Sequence, residues 1–240
     1  MLQQMETEGC AIGWARAHNS TTELSICARD RHGLFADLAG TLAANGVEIM
    51  SAELNTREDG IAIDTFVLRQ AATGQSVEDH RYQKIQAALA KAVAGKLDVV
   101  NLIERWATRN APRRRSAIVP ARRRSLPRVS CDNETSASAT LIEVQAIDEP
   151  GLAYKIASTL TVLGLEIVCA RIATERSDAL DVFYVTDADG LKLRDEMHES
   201  IEQAISMRLR NSVSVEPVSS EIAEKGTHEK SRSDYQTAFA

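Results

Sequence analysis

Two short segments carry the residue types and spacing for small-molecule chemistry. They are Asp30-Arg31-His32-Gly33-Leu34 and Asp148-Glu149-Pro150-Gly151-Leu152. Each ends a run of alternating apolar residues, Leu24, Ile26, Ala28 in one case and Ile142, Val144, Ala146 in the other. Each then opens a helical stripe, Leu34, Leu38, Leu42 or Leu152, Ile156, Leu160. A helix start exposes unpaired N–H groups and a partial positive charge. Glycine there removes a side chain, so a carboxylate can approach those N–H groups. A second reading is structural, with Gly33 and Gly151 as tight turns and Asp30 and Asp148 as N-caps worth about 1 kcal/mol each.

The two segments belong to one repeat, offset by 118 positions. Thr22 falls on Thr140, Asp30 on Asp148, Gly33-Leu34 on Gly151-Leu152, and Thr41-Leu42 on Thr159-Leu160. Gly46-Val47-Glu48-Ile49 falls on Gly164-Leu165-Glu166-Ile167. After a one-residue deletion, Asp64-Thr65-Phe66 meets Asp181-Val182-Phe183. Identities at turn and core positions mark a duplicated domain.

Each copy reads as strand, helix, strand, hairpin, strand, helix and strand. The second strands span Val47–Thr56 and Leu165–Thr174. The third span Ile61–Leu68 and Ala179–Val185, and the second helices Val77–Ala94 and Arg194–Leu209. A final strand is expected at Val213–Val215 in copy two and, late, at Arg128–Asp132 in copy one. The βαββαβ order predicts an α+β class with two ferredoxin-like units, each an antiparallel sheet with helices on one face. The expected division is an extension over 1–20, holding a helix from Met5 to Ala17, and a first domain over 21–133. A second domain follows over 138–218, then a disordered tail over 219–240.

Composition narrows the function classes. The chain has 240 residues, 44% apolar and 26% charged, which suits one or two globular domains. Aromatics are only 4%, too few for base-stacking platforms, so nucleic acid is not the expected partner. No apolar run approaches a membrane span, and the segment around Glu6 and Glu8 does not read as a signal peptide. Cys10, Cys27, Cys131 and Cys169 show no CxxC spacing. They read as reduced, small buried or interface residues of a cytoplasmic protein.

Charge is uneven. Nine arginines and no acid lie between Arg105 and Cys131, while the net charge of the chain is −6. This crossover, 105–128, reads as a solvated linker held extended by Pro112, Pro120 and Pro127. Its alternative is a phosphate-binding strip, or a contact with an acidic partner surface.

With the Asp-x-x-Gly-Leu turn, the repeat resembles the ACT domain, a small-molecule sensing module. The tandem is similar to the C-terminal region of the bifunctional uridylyltransferase/uridylyl-removing enzymes that modify the PII signal protein. The segments Asp59-Gly60-Ile61-Ala62-Ile63-Asp64-Thr65-Phe66, Leu163–Thr174, Asp181–Asp187 and Cys131-Asp132-Asn133-Glu134 carry that likeness.

The resemblance implies glutamine, or another small amino acid, as ligand. It places that ligand between one copy's turn and the start of the neighbour's second strand. The site residues are then Asp30, His32, Gly33 and Leu34 with Asp148, Pro150, Gly151 and Leu152 at the turns. Glu48, Ile49, Glu166 and Ile167 stand on the strands, where glutamate could hold an ammonium or amide, or simply be solvated. Pro150 gives copy two the stiffer turn. PII or the enzyme's catalytic domains would be partners, and exposed sheet edges offer a route to a homodimer.

No cofactor is expected in this chain, since Mg²⁺ would belong to catalytic domains whose motifs are missing. The sole Asp-x-Asp, Asp187-Ala188-Asp189, lacks the preceding Gly-Ser turn, and Asp79-His80 reverses the His-Asp pair of a metallohydrolase. Two functions follow: the regulatory tandem of such an enzyme, or a free-standing amino-acid-binding regulator.

Overall fold

A computed structural model describes residues 9–17, 20–110, 126–147, 149, 151–172, 174–175 and 178–210. The first sheet is built from β1 (Cys10–Arg16), β2 (Thr22–Arg29), β3 (Val47–Glu53) and β4 (Ile61–Gln70) in the order β1-β2-β4-β3. The second has β5 (Arg128–Asp132), β6 (Thr140–Ile147), β7 (Glu166–Arg171) and β9 (Asp178–Thr186) in the matching order β5-β6-β9-β7. A two-residue strand, β8 (Thr174–Glu175), pairs with β9. All pairs are antiparallel.

Helices α1 (Leu34–Ala44) and α2 (Asp79–Val93) belong to the first sheet, α4 (Leu152–Val162) and α5 (Asp195–Arg210) to the second. The fold class is therefore as expected, two ferredoxin-like units. Phe66 and Phe183, fully buried at matching positions, centre the aliphatic cores.

The edge strand of each unit comes from the opposite end to the one expected. Cys10–Arg16 is a strand, not part of a Met5–Ala17 helix. It pairs with β2 in register from Cys10↔Ala28 to Arg16↔Thr22. Trp14 stacks on Tyr82 of α2 at 4.5 Å, and Arg16 donates to Asp79 at 2.9 Å. Arg128–Asp132 joins the second sheet rather than the first, and Cys131 N–H donates to Glu202 of α5 at 2.9 Å. Each unit thus runs ββαββα, a permutation that fills the same sheet position from the N-terminal side. The expected strand at Val213–Val215, the tail, and the crossover over 111–125 lie outside the described residues.

A buried threonine repeats the same tie in both units. Thr22 Oγ1 accepts from Val77 N–H, and Thr140 Oγ1 from Leu193 N–H, each at 2.9 Å. The sequence reading also missed α3 (Val99–Asn110). Asp98 caps it, accepting from Asn101 N–H at 2.9 Å, and Arg105 and Arg109 of the basic run sit on it.

The units meet through α1 against α4 and through the edge strands β3 and β7. Both edge strands carry a register shift at the same repeat position, between Ile49 and Ser51 and between Ile167 and Cys169. A bulge bends an edge and disfavours continuous pairing, which fits two sheets that abut without forming one ladder. At the helix contact Gly40 leaves no room for a side chain. A Cβ there would lie 2.5 Å from Val99 Cγ1 and 2.7 Å from Tyr154 Cδ2.

Candidate functional site

The glycines of the two turns, not the aspartates, occupy the N-cap positions. Gly33 has φ 74° and Gly151 φ 86°, both left-handed, where an L side chain is strained. Asp30 instead braces its loop, accepting from Arg31 N–H at 2.8 Å and from Thr56 Oγ1–H at 2.6 Å. Asp148 and Pro150 lie outside the described residues. Leu34 is core, 3% exposed.

Each turn faces the other unit, so the arrangement is reciprocal. The first turn meets the end of α4 and the start of β7. His32 Nδ1 lies 2.6 Å from Glu166 Oε1, and Nε2 lies 3.0 Å from the Thr161 carbonyl. A Cβ on Gly33 would come within 2.9 Å of Thr161 Cγ2, so this junction is tight.

The second turn meets the end of α1 and the start of β3, but less closely. The nearest atom to a Cβ on Gly151 is Ala43 Cβ at 3.7 Å. Here a narrow cleft opens to solvent, with room for about 20 Å³, the size of a single water. Gly151, Leu152 and Tyr154 line one side, Ala43, Glu48 and Ile49 the other, and Asp181 also contributes. The structure therefore brings Gly151, Leu152, Glu48 and Ile49 together, and separately His32, Gly33 and Glu166. Ile167 packs half-buried against the core.

Both glutamates already meet a basic side chain. Arg69, directly across from Glu48, donates from Nε to Oε2 at 2.6 Å and from Nη2 to Oε1 at 3.0 Å. The residue across from Glu166 is Thr186, which brings no charge. Glu166 meets a basic ring of the other unit, that of His32. Partial burial lowers the His32 pKa, but the bonds to Thr161 and Glu166 outweigh it and the net shift is upward.

Sequence reasoning missed Arg69, Thr161 and Asp181 as site residues. Arg69 was within reach through the hairpin register, which sets it opposite Glu48. Asp181 and its counterpart Asp64 entered as repeat identities and as part of the family likeness, not as site residues, yet they are 1% and 4% exposed. Burial first, and then the charge of Asp30, pushes Asp64 up to about 7.

The remaining polar motifs do structural work. Asp187 Oδ1 accepts from Asp189 N–H at 3.0 Å and Leu191 N–H at 2.9 Å, closing the turn after β9. All four cysteines are free thiols, and burial with the Glu202 carboxylate drives Cys131 up to about 12. Among the described residues no helix is long and apolar enough to cross a membrane.

Two ferredoxin-like units joined through reciprocal glycine turns define a tandem of ACT-type domains, and the chain is one. The ACT domain family matches residues 22–89, and the family described as ACR9-like, ACT-like domain matches residues 128–228. Its curated relatives include the bifunctional uridylyltransferase/uridylyl-removing enzyme of Azospirillum brasilense, 40% identical over 176 residues, 73% of this chain and 18% of that enzyme. The same enzyme from Gluconobacter oxydans is 38% identical over 175 residues, 72% and 18% of the respective chains. The chain spans about a fifth of the length of these relatives. Among solved structures, aspartate kinase from Synechocystis aligns with a TM-score of 0.44 and 15% identity, over 81% of this chain and 28% of that one.

Proposed function

We propose that the chain is an amino-acid-responsive regulatory module, the glutamine-sensing part of a uridylyltransferase/uridylyl-removing system acting on the PII protein in the cytoplasm. The observation that carries this reading is the cleft in which Gly151, at the start of α4, faces Glu48 and Ile49 of the other unit. A helix N-terminus suits a carboxylate and a strand glutamate suits an ammonium, so the pair matches the two ends of an α-amino acid. The likeness to the enzyme over most of this chain supports reading glutamine as that ligand.

Because the cleft walls come from both units, a ligand there feels their separation. An amino acid that binds one arrangement tenfold better shifts the balance by about 1.4 kcal/mol. That shift is what PII, or a catalytic domain, would read. The enzyme's transferase and hydrolase chemistry, with its Mg²⁺, lies outside this reading of the chain.

Calorimetric titration with L-glutamine, against glutamate, asparagine and serine, tests it. Saturable heat for glutamine alone, weakened by Gly151→Val, is the expected result. Silence with all four overturns amino-acid sensing and leaves the tandem as an interaction module. The free-standing regulator remains the second reading, favoured by a response to an amino acid other than glutamine.

A further inference from the structure

A groove within the first unit is far roomier than the interdomain cleft, with about 480 Å³ against about 20 Å³. Small-molecule sites run to about 300–1,000 Å³. The end of α1 and the residues after it, 44–46, form one wall. Helix α2 adds Arg81, Lys84 and Ile85, and α3 adds Leu102, Trp106 and Arg109. Spacings of three and four residues turn each helix's contributors to one face.

The charge of the groove has one sign. Arg81, Lys84 and Arg109 line it and no carboxylate does. Among the described residues none of the three forms a salt bridge. Arg81 is fixed by neutral acceptors, donating from Nη1 to Gln70 Oε1 at 2.8 Å and from Nη2 to the Asn45 carbonyl. Its place is set while its charge stays uncompensated. Arg109 Nε donates to the Arg105 carbonyl one turn back, at 3.1 Å. Three like charges on one groove favour a bound polyanion.

The repeat shows that the fold does not require these cations. Val77 N–H and Leu193 N–H make the same bond to Thr22 and Thr140, and Ile85 and Leu89 hold the buried places of Ile201 and Ile205. On that alignment Arg81 and Lys84 fall on Met197 and Ser200. The second unit therefore forms without either charge.

Trp106 adds a half-buried indole, with Leu102 and the buried Ile85 as apolar lining. Cations beside a flat aromatic ring suit a molecule with clustered phosphates and a planar base. One indole serves a single base, whereas a nucleic-acid strand needs a row of them. The carboxylates of an acidic peptide carry one charge each and are spread along a chain, a poorer match to three cations on one groove.

We propose that this groove binds a nucleoside polyphosphate, its phosphates met by Arg81, Lys84 and Arg109 and its base stacked on Trp106. The inference stands apart from the amino-acid reading, since no residue of the groove belongs to either glycine turn.

The test is titration of the full chain with ATP at low salt, followed by calorimetry and tryptophan fluorescence. Inorganic triphosphate, adenosine and a poly-glutamate peptide are the comparison probes. Saturable ATP binding is expected, with quenching that disappears in Trp106→Phe. Triphosphate should bind more weakly and adenosine more weakly still. Lys84→Glu, at an exposed helix position, should weaken ATP binding about tenfold or more. Arg81→Met with Lys84→Ser, the residues of the second repeat, should do the same with unchanged circular dichroism.

Arg81 and Lys84 lie outside the arginine run that begins at Arg105. Unchanged affinity in both variants would assign the binding to that run and overturn the inference. Equal affinity for ATP and triphosphate, with no change in tryptophan emission, overturns it too. So does silence with ATP, and binding of poly-glutamate alone would make the groove a contact for an acidic protein instead.

Discussion

Arg69 and Glu48 face each other across neighbouring strands and share two hydrogen bonds, at 2.6 and 3.0 Å, beside the interdomain cleft. The glutamate side chain is 12% exposed and the arginine 30%. Removing one partner of a largely buried pair leaves the other desolvated. Arg69→Thr, which installs the residue of the second repeat, is expected to destabilise the chain by about 1–3 kcal/mol in a urea titration. A loss within error would mean the pair is screened and structurally idle.

Gly40 sets how closely α1 approaches α3 and α4. Gly40→Ala puts a methyl 2.5 Å from Val99 Cγ1 and 2.7 Å from the Tyr154 ring. Overpacking of this kind costs about 1–3 kcal/mol, although alanine is the better helix former. A lowered midpoint of thermal unfolding is expected. An unchanged or raised midpoint would show that Val99 and Tyr154 move aside freely.

Asp64 gives the chain a pH dependence of definite sign. Its carboxyl is 4% exposed and held near 7, against an ordinary value near 3.8. The folded state therefore binds the proton more tightly than the unfolded state. Stability from this group is fully present below about pH 4 and is lost as pH rises through about 7, by an amount on the order of 4 kcal/mol. Asp64→Asn should flatten that part of the stability profile and be relatively more stable at pH 8. Parallel profiles for the two proteins would show that Asp64 ionises like a surface carboxylate.

Cys131 should be slow to react. Its thiol is driven up to about 12 by burial and by Glu202, and the thiolate is the reactive form. Alkylation of Cys131 at pH 8, followed by peptide mass spectrometry, is expected to lag far behind that of the urea-unfolded chain. Equal rates would contradict the packing of β5 against α5.

The repeat made most of the fold legible. Strand alternation and the stripes of Leu34, Leu38, Leu42 and Leu152, Ile156, Leu160 located six of the eight main strands and four helices. Those signals are strong because the elements face a core. The edge strands β1 and β5 were misplaced for the opposite reason. Cys10–Arg16 and Arg128–Glu134 stand at the same 118-residue offset but share no identical residue, because an edge strand needs backbone pairing more than particular side chains. Helix α3 carried a readable signal, the Asp98 cap with Val99, Leu102, Ile103 and Trp106, which the arginine run that follows obscured.

At the site, the family resemblance implied that the glycine turns and the two glutamates stand near one another. It did not show that Arg69 and His32 already hold those glutamates. Such pairings depend on cross-strand register and on which turn meets which unit, and neither is a local property of the chain.

The most direct test of the central claim is a titration of the ¹⁵N-labelled chain with L-glutamine, followed by amide shifts. Changes confined to Gly151, Leu152, Glu48, Ile49 and their neighbours are the predicted result, with His32 and Gly33 little affected. Saturable shifts that leave the Gly151–Glu48 cleft untouched, or no shifts at all, would contradict it.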